Sequence, residues 1–353
     1  MRRLWPAVVA LSAVAAFVPA TPVLAAADCF GVTPTIVGTG ADDILVGTDE
    51  DDVIFAGAGN DRVLALGGDD FVCSNAGNDF VDGGAGNDAL FADAVMDGQD
   101  VYVGGPGEDI VDYGLRSISL RLSLNGAADD GAPGENDNIG SNDSTAPDAD
   151  GIEVVVGSTA DDVLLGGPGN DRFIGRSGND HIDGGPGVDG LGGFEGNDLL
   201  VGGEGNDQLG GGEEDDTIVG GPGNDLMTGG FGNDRFVADP DPDGHDTMFG
   251  FGGVDLITYA DRAAGVTAKV NDPNGASEDY VTPDVENIVG SRGDDIIEMT
   301  TRGADLANND VDGGPGNDII NVVDGTKGND QVDGGLGVDR CRADAGDTLL
   351  RCP

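Results

Sequence analysis

Across 353 residues, aspartate and glutamate outnumber lysine and arginine 67 to 16, a formal charge of −51, and glycine fills 65 positions. A single-sign excess of this size repels nucleic acid and anionic lipid, so neither is an expected partner, and hard cations are the natural counter-charge. It commonly accompanies disorder, yet 38% of the residues are hydrophobic, so the matter turns on how those residues are spaced.

The chain opens with "MRRLW", an apolar run "PAVVALSAVAAFVPA" and small residues "VLAAA" before Asp28. This pattern predicts a secretory signal peptide over residues 1–27, and no other segment has membrane-spanning length. The pair Arg2-Arg3 fits an ordinary positive start better than a twin-arginine signal, and Asp28 argues against a lipid anchor on Cys29. Export would leave a secreted, extracellular chain of charge −53, both leading arginines having gone. Four cysteines then face an oxidising compartment, where three pairings are open. Cys29 with Cys73 and Cys341 with Cys352 is the economical choice, each pair bracketing one end; without a CxxC spacing, zinc is not favoured.

From Gly38 to Phe91 the sequence repeats with a period of nine, six times over. With the motif GGxGxD filling positions one to six, position six is Asp43, Asp52, Asp61, Asp70, Asp79 and Asp88. A 12-residue interruption, Ala92–Val103, precedes a single unit, Gly104–Asp112, which contains Asp109. Residues 113–156 follow, with alternating "SISLRLSLNG" and an acidic loop. The period resumes at Gly157 and runs nine units to Val237. Position six is then Asp162, Asp171, Asp180, Asp189, Asp198, Asp207, Asp216, Asp225 and Asp234. Position eight is always large and apolar: Leu164, Phe173, Ile182, Leu191, Leu200, Leu209, Ile218, Met227 and Phe236. A second 12-residue interruption, Ala238–Phe249, shares A-D-x-x-x-D-G-x-D with the first, and its copy of the following unit, Gly250–Thr258, carries Asp255. Residues 259–289 match 113–156 in opening on a tyrosine and closing on an apolar run before G-S. The chain ends with units at Gly290, Gly313, Gly325 and Gly334, carrying Asp295, Asp318, Asp330 and Asp339. The larger plan is therefore duplicated. It divides into a first roll segment (28–112), a β-rich module (113–156), a central roll with an acidic loop (157–258), a second module (259–289) and a C-terminal roll with a disulfide cap (290–353).

Physical chemistry gives the period a shape. Three residues with one inward apolar side chain make a very short strand, because alternate strand residues face opposite sides. Six residues rich in glycine make a tight turn that exposes carbonyl oxygens. Two units complete an 18-residue coil, and stacked coils enclose a thin apolar core between two parallel sheets. The glycine density excludes helix. The expected fold is all-β, a solenoid whose coils are stabilised by their neighbours, with two β-rich modules inserted.

The nonapeptide GGxGxDxUx resembles the RTX, or haemolysin-type, calcium-binding repeat over most of the mature chain. The resemblance implies a parallel β-roll with several calcium ions between turns of successive coils, held by turn carbonyls and the position-six aspartates named above. Calcium's preference for about six to eight oxygen ligands agrees with that role. Within "DPDPDGHD", Asp239, Asp241 and Asp243 also fit the early positions of an EF-hand loop, although Gly250 stands where its bidentate glutamate belongs; a solvated acidic loop is the competing reading.

Catalytic motifs are missing: there is no HExxH, GxSxG or P-loop. His181 occupies an outward position seven, and His245 follows the acidic loop. The expectation is a secreted calcium-binding protein with a structural or surface-interaction role and no enzyme activity. A small hydrolase with its site in residues 113–156 or 259–289 stays open as an alternative. So does a glycan- or ice-binding roll, although positions seven and nine are too mixed for a regular ladder. A cell-surface or glycan partner is possible on this reading but is not identified.

Overall fold

The computed structural model describes residues 31–96, 98–140, 151–240, 244–271, 279–299, 308–325 and 328–352. The expected leader, Cys29, Asp241 and Asp243 lie outside the described residues. The fold is an all-β parallel solenoid of about 16 turns with no helix among those residues. None of them therefore forms a helix long and apolar enough to cross a membrane.

The chain alternates between two faces once per nonapeptide. On one face Leu164 stands in register with Ile182, then Leu200, Ile218 and Phe236. On the other, Val155 is followed by Phe173, Leu191, Leu209 and Met227. All of these ladders are parallel. The first face is an 11-stranded sheet from Arg121–Ser123 to Thr348–Leu350, preceded by a five-stranded one that begins at Ile44–Val46. The opposite face is a 12-stranded sheet that is followed, through the bridge between Val281 and Val270, by a four-stranded sheet ending at Arg340–Arg342.

Position eight builds the core. From Leu164 to Phe236 these side chains are at most 3% exposed and belong to one apolar cluster running along the solenoid. Positions seven and nine flank it outward, and His181 is exposed as its place in the repeat requires. Each inward side chain fills the gap between two sheets, so the core is one residue thick and every coil depends on the next.

Both 12-residue interruptions are nonapeptides with three extra residues in the turn. Val101–Val103 pairs with Phe80–Asp82, and Thr247–Gly252 pairs with Leu226–Phe231, each in a register of 21 residues where the regular coils use 18. The parallel ladders run through both positions without a break. Residues 113–156 supply strands Arg121–Ser123, Asn138–Ile139 and Val154–Val156 to the two faces, and 259–289 supply Thr267–Lys269, Tyr280–Val281 and Asn287–Val289. Both stretches share a buried corner. Arg116 Nε donates to Asp93 O, and its guanidinium carbon lies 5.0 Å from the Tyr113 ring centroid; Arg262 Nε donates to Asp239 O, and its guanidinium carbon lies 5.3 Å from that of Tyr259. The internal duplication thus extends to three-dimensional construction.

Cys341 and Cys352 form a disulfide with Cα atoms 5.7 Å apart, tying the last coil together. Cys73 is also disulfide-bonded. Its expected partner, Cys29, is outside the described residues.

Candidate metal centre

Each nonapeptide turn delivers its aspartate to an edge of the solenoid, where position-six carboxylates form hydrogen-bonded ladders. Asp61 Oδ1 accepts the main-chain N–H of Asp43, one coil earlier, at 2.8 Å; Asp70, Asp79 and Asp88 accept those of Asp52, Asp61 and Asp70. In the central run Asp180, Asp189, Asp198, Asp207, Asp216, Asp225 and Asp234 repeat the bond at 2.8–2.9 Å. Asp109, Asp255, Asp318, Asp330 and Asp339 make it elsewhere. Asparagine at position five staples neighbouring coils in the opposite sense: Asn179 Oδ1 accepts the N–H of Asn197 from the following coil.

The second carboxylate oxygen tells more. Oδ2 of Asp61, Asp70, Asp79, Asp88, Asp109, Asp180, Asp189, Asp198, Asp207, Asp216, Asp234, Asp255, Asp318, Asp330 and Asp339 is buried with no hydrogen-bond partner. A buried, uncompensated carboxylate is strongly unfavourable unless it is neutralised or meets a cation. Burial accordingly pushes Asp70, Asp79, Asp180, Asp189 and Asp255 up to about 7, and Asp109 and Asp216 up to about 8; the main-chain N–H bond offsets this only in part, and neighbouring carboxylates add to it.

Position one is glycine because the carboxylate lies over it. A β-carbon built on Gly193 would stand 2.0 Å from Asp198 Oδ2. One built on Gly184 would stand 2.6 Å from Asp189 Oδ2 and 2.6 Å from the carbonyl oxygen of Gly202 in the next coil. The unpaired carboxylate oxygen and the next coil's carbonyl therefore share the space that the missing side chain leaves. Among the described residues no three carboxylates, histidines or cysteines converge on a single point. A cation here would take most of its oxygens from the main chain. Oxygen-only donors, mixing carboxylate with carbonyl, fit calcium.

Five aspartates are placed differently. Asp43, Asp52, Asp162, Asp171 and Asp295 each accept, through Oδ2, the N–H of position two in their own turn at 2.6–2.8 Å. Burial raises the Asp52 carboxyl, but hydrogen bonds from Thr35 and Thr48 outweigh that and hold it below its ordinary value. Asp239 follows the strand Arg235–Val237, and its Oδ2 is buried with no hydrogen-bond partner. The other two residues of the EF-hand reading are not described.

The ladders also include acids that the nonapeptide pattern misses. Asp100, Asp137 and Glu153 accept the N–H groups of Asp79, Asp100 and Asp109. Asp246, Asp279 and Glu286 do the same for Asp225, Asp246 and Asp255. Four of them carried a signal. Gly98-Gln99-Asp100, Gly244-His245-Asp246 and Gly151-Ile152-Glu153 keep the glycine-x-acid end of the turn before an apolar strand, and in Asp284-Val285-Glu286 the acid alone remains. Asp137 and Asp279 accept the Tyr113 and Tyr259 hydroxyls as well, 3.0 and 2.9 Å away, so the ladders pass through the duplicated corners.

Compared with known protein families, residues 37–72, 74–94, 150–191, 192–227, 210–243 and 320–350 match the RTX calcium-binding nonapeptide repeat. The chain belongs to the RTX calcium-binding repeat family. Curated proteins yield no match. The RTX repeats are calcium-binding and account for several ions in one chain. Their spacing is that of the carboxylate ladders, one aspartate per nine residues and one coil per 18.

Proposed function

We propose that this RTX chain is a secreted structural protein, without catalytic activity, whose solenoid forms when calcium binds. The observation behind the reading is the row of buried carboxylate oxygens that have no hydrogen-bond partner. Without a cation these groups oppose folding around a core one residue thick; with one, binding free energy becomes folding free energy. The position-six aspartates with a free Oδ2 hold the ions together with turn carbonyls. Leader, cysteine pairing and calcium use agree with an oxidising, calcium-rich exterior. Titrating calcium into the metal-free chain while recording far-ultraviolet circular dichroism tests the reading: β-structure appears with millimolar calcium and not with magnesium, which prefers compact octahedral sites. A spectrum unchanged across the titration rejects it.

A surface-interaction role has one favourable observation. Phe194, Phe231 and Phe251 are 53%, 71% and 63% exposed on the outer side of one sheet. Phe194 and Phe251 share a register column, separated by Gly212 and Gly230. Exposed aromatic rings over a glycine floor suit the apolar faces of sugars. Binding to a glycan array that disappears in Phe194→Ser/Phe251→Ser would support this role, and no binding to any glycan would remove its glycan form.

A further inference from the structure

Position two of the nonapeptide divides the turns into two kinds. In one kind it is Thr39, Thr48, Ser158 or Ser291. The hydroxyls of Thr39 and Thr48 donate to Asp43 Oδ2 and Asp52 Oδ2 at 2.8 and 2.9 Å, beside the N–H bonds already described. Those of Ser158 and Ser291 donate to Asp162 Oδ1 and Asp295 Oδ1 at 3.0 and 2.6 Å. Each hydroxyl also accepts the N–H two residues on, from Ala41, Glu50, Ala160 or Gly293. The serine or threonine therefore closes its turn on the aspartate, using the groups that the chain itself provides. None of these residues has positive φ.

In the other kind position two lies in the left-handed region. Leu66, Asn75, Arg176, Phe194, Gly203 and Phe251 have φ of 84°, 63°, 86°, 82°, 104° and 70°. Four residues on, Oδ2 of Asp70, Asp79, Asp180, Asp198, Asp207 and Asp255 is buried and unpartnered. Leucine, arginine and phenylalanine resist this region, so these turns are held open against local preference. Glycine permits either state: Gly167 closes on Asp171 through its N–H alone.

We infer that position two decides which turns take calcium. Turns with φ above zero present a free carboxylate oxygen and bind an ion; turns whose position-two residue is bonded to the aspartate, as at Thr39, Thr48, Ser158, Gly167 and Ser291, are satisfied internally and bind none. A hydroxyl residue in the sequence is not sufficient by itself, since the unit at Gly325 has Thr326 at position two and Asp330 Oδ2 is buried without a partner. The closed turns are not scattered. They open the run from Gly38, the run from Gly157 and the repeats that resume at Gly290, so each stretch of roll starts on a turn that needs no metal. The inference rests on the position-six aspartates being the ligands, and the test separates the two claims.

The test uses the full chain with calcium alone as probe, counting bound ions by native mass spectrometry at saturation and following circular dichroism during titration. Asp207→Asn, in an open turn, should bind one ion fewer than the parent, and Asp162→Asn, in a closed turn, should bind the same number. Phe194→Thr places a β-branched hydroxyl residue at an open position two that already accommodates a side chain, 53% exposed, and should also lose one ion. Phe194→Asn should keep the full count, because Asn75 already holds positive φ at the same position of its own turn. Loss of an ion from Asp162→Asn, or equal counts in Phe194→Thr and Phe194→Asn, would overturn the role of position two. Full counts in both aspartate variants would overturn the ligand assignment itself. The isosteric aspartate pair decides the matter even if Phe194→Thr does not fold.

Discussion

Acid should partly replace calcium in folding the metal-free chain. In the solenoid, burial lifts Asp70, Asp79, Asp180, Asp189 and Asp255 to about 7 and Asp109 and Asp216 to about 8. In the unfolded chain the same groups titrate near 3.9. A carboxyl held high in the folded state keeps its proton there while the unfolded chain has lost it. Its contribution is complete below about pH 4 and disappears as pH rises through 6 to 8. Between those limits each such group lowers stability by about 1.4 kcal/mol per pH unit, the slope for one proton bound only by the folded state. Even three of these groups acting together would change stability by about 4 kcal/mol per unit, roughly a thousandfold in the folding constant. Far-ultraviolet circular dichroism in calcium-free buffer from pH 4.5 to 8.5 should therefore show β-structure fading as the solution becomes more alkaline. With calcium present the direction inverts, since proton and ion compete for one oxygen, and the calcium midpoint should rise below about pH 6. A metal-free β-signal that is flat or grows with pH would refute the argument.

Three further outcomes follow from the same geometry. Leu200→Ala, fully buried in register between Ile182 and Ile218, should cost about 2–5 kcal/mol and raise the calcium midpoint, whereas Leu226→Ala at a 39%-exposed position seven should change it little; thermal melts at fixed calcium compare them. Asp198→Ala should raise the midpoint and lower the cooperativity of the titration more than Asp339→Ala, because a defect inside the central run uncouples coils on both sides. Reducing the Cys341–Cys352 bridge should remove about 2–3 kcal/mol of local stability, which hydrogen exchange would show as faster opening of residues 340–350 while the central run keeps its protection.

The repeat itself was legible because its chemistry is periodic. One apolar side chain in nine residues can only be an inward strand position, and Leu164 through Phe236 occupy it; one aspartate in nine marks the turn, and the ladders from Asp162 to Asp234 follow it. What the period hid was whatever broke it. Asp100 and Asp246 joined the ladders although three added residues displaced them, because a turn can lengthen outward without shifting the strands it connects. Asp137 and Asp279 bond to amides 37 and 33 residues away with no local signature, while Glu153 and Glu286, 44 and 31 residues from theirs, keep only the end of the turn motif. The buried Arg116 and Arg262 carry no pattern that separates them from surface arginines. Thr48 and Ser158 read as small deviations from glycine; only hydrogen-bond geometry shows that such a deviation closes a turn.

The register of 18 residues per coil also fixes a length. Stacked at the spacing of neighbouring strands, about 16 turns measure roughly 77 Å from end to end. A single coil pulled straight spans about 60 Å, since an extended residue covers about 3.4 Å. Releasing one coil from an end thus lengthens the molecule by more than ten times the rise which that coil had contributed. The coils contact only their neighbours, so tension along the axis would peel them one after another from the ends. A chain built in this way is a tether whose reach changes in steps, short where its coils are stacked and an order of magnitude longer where they are not.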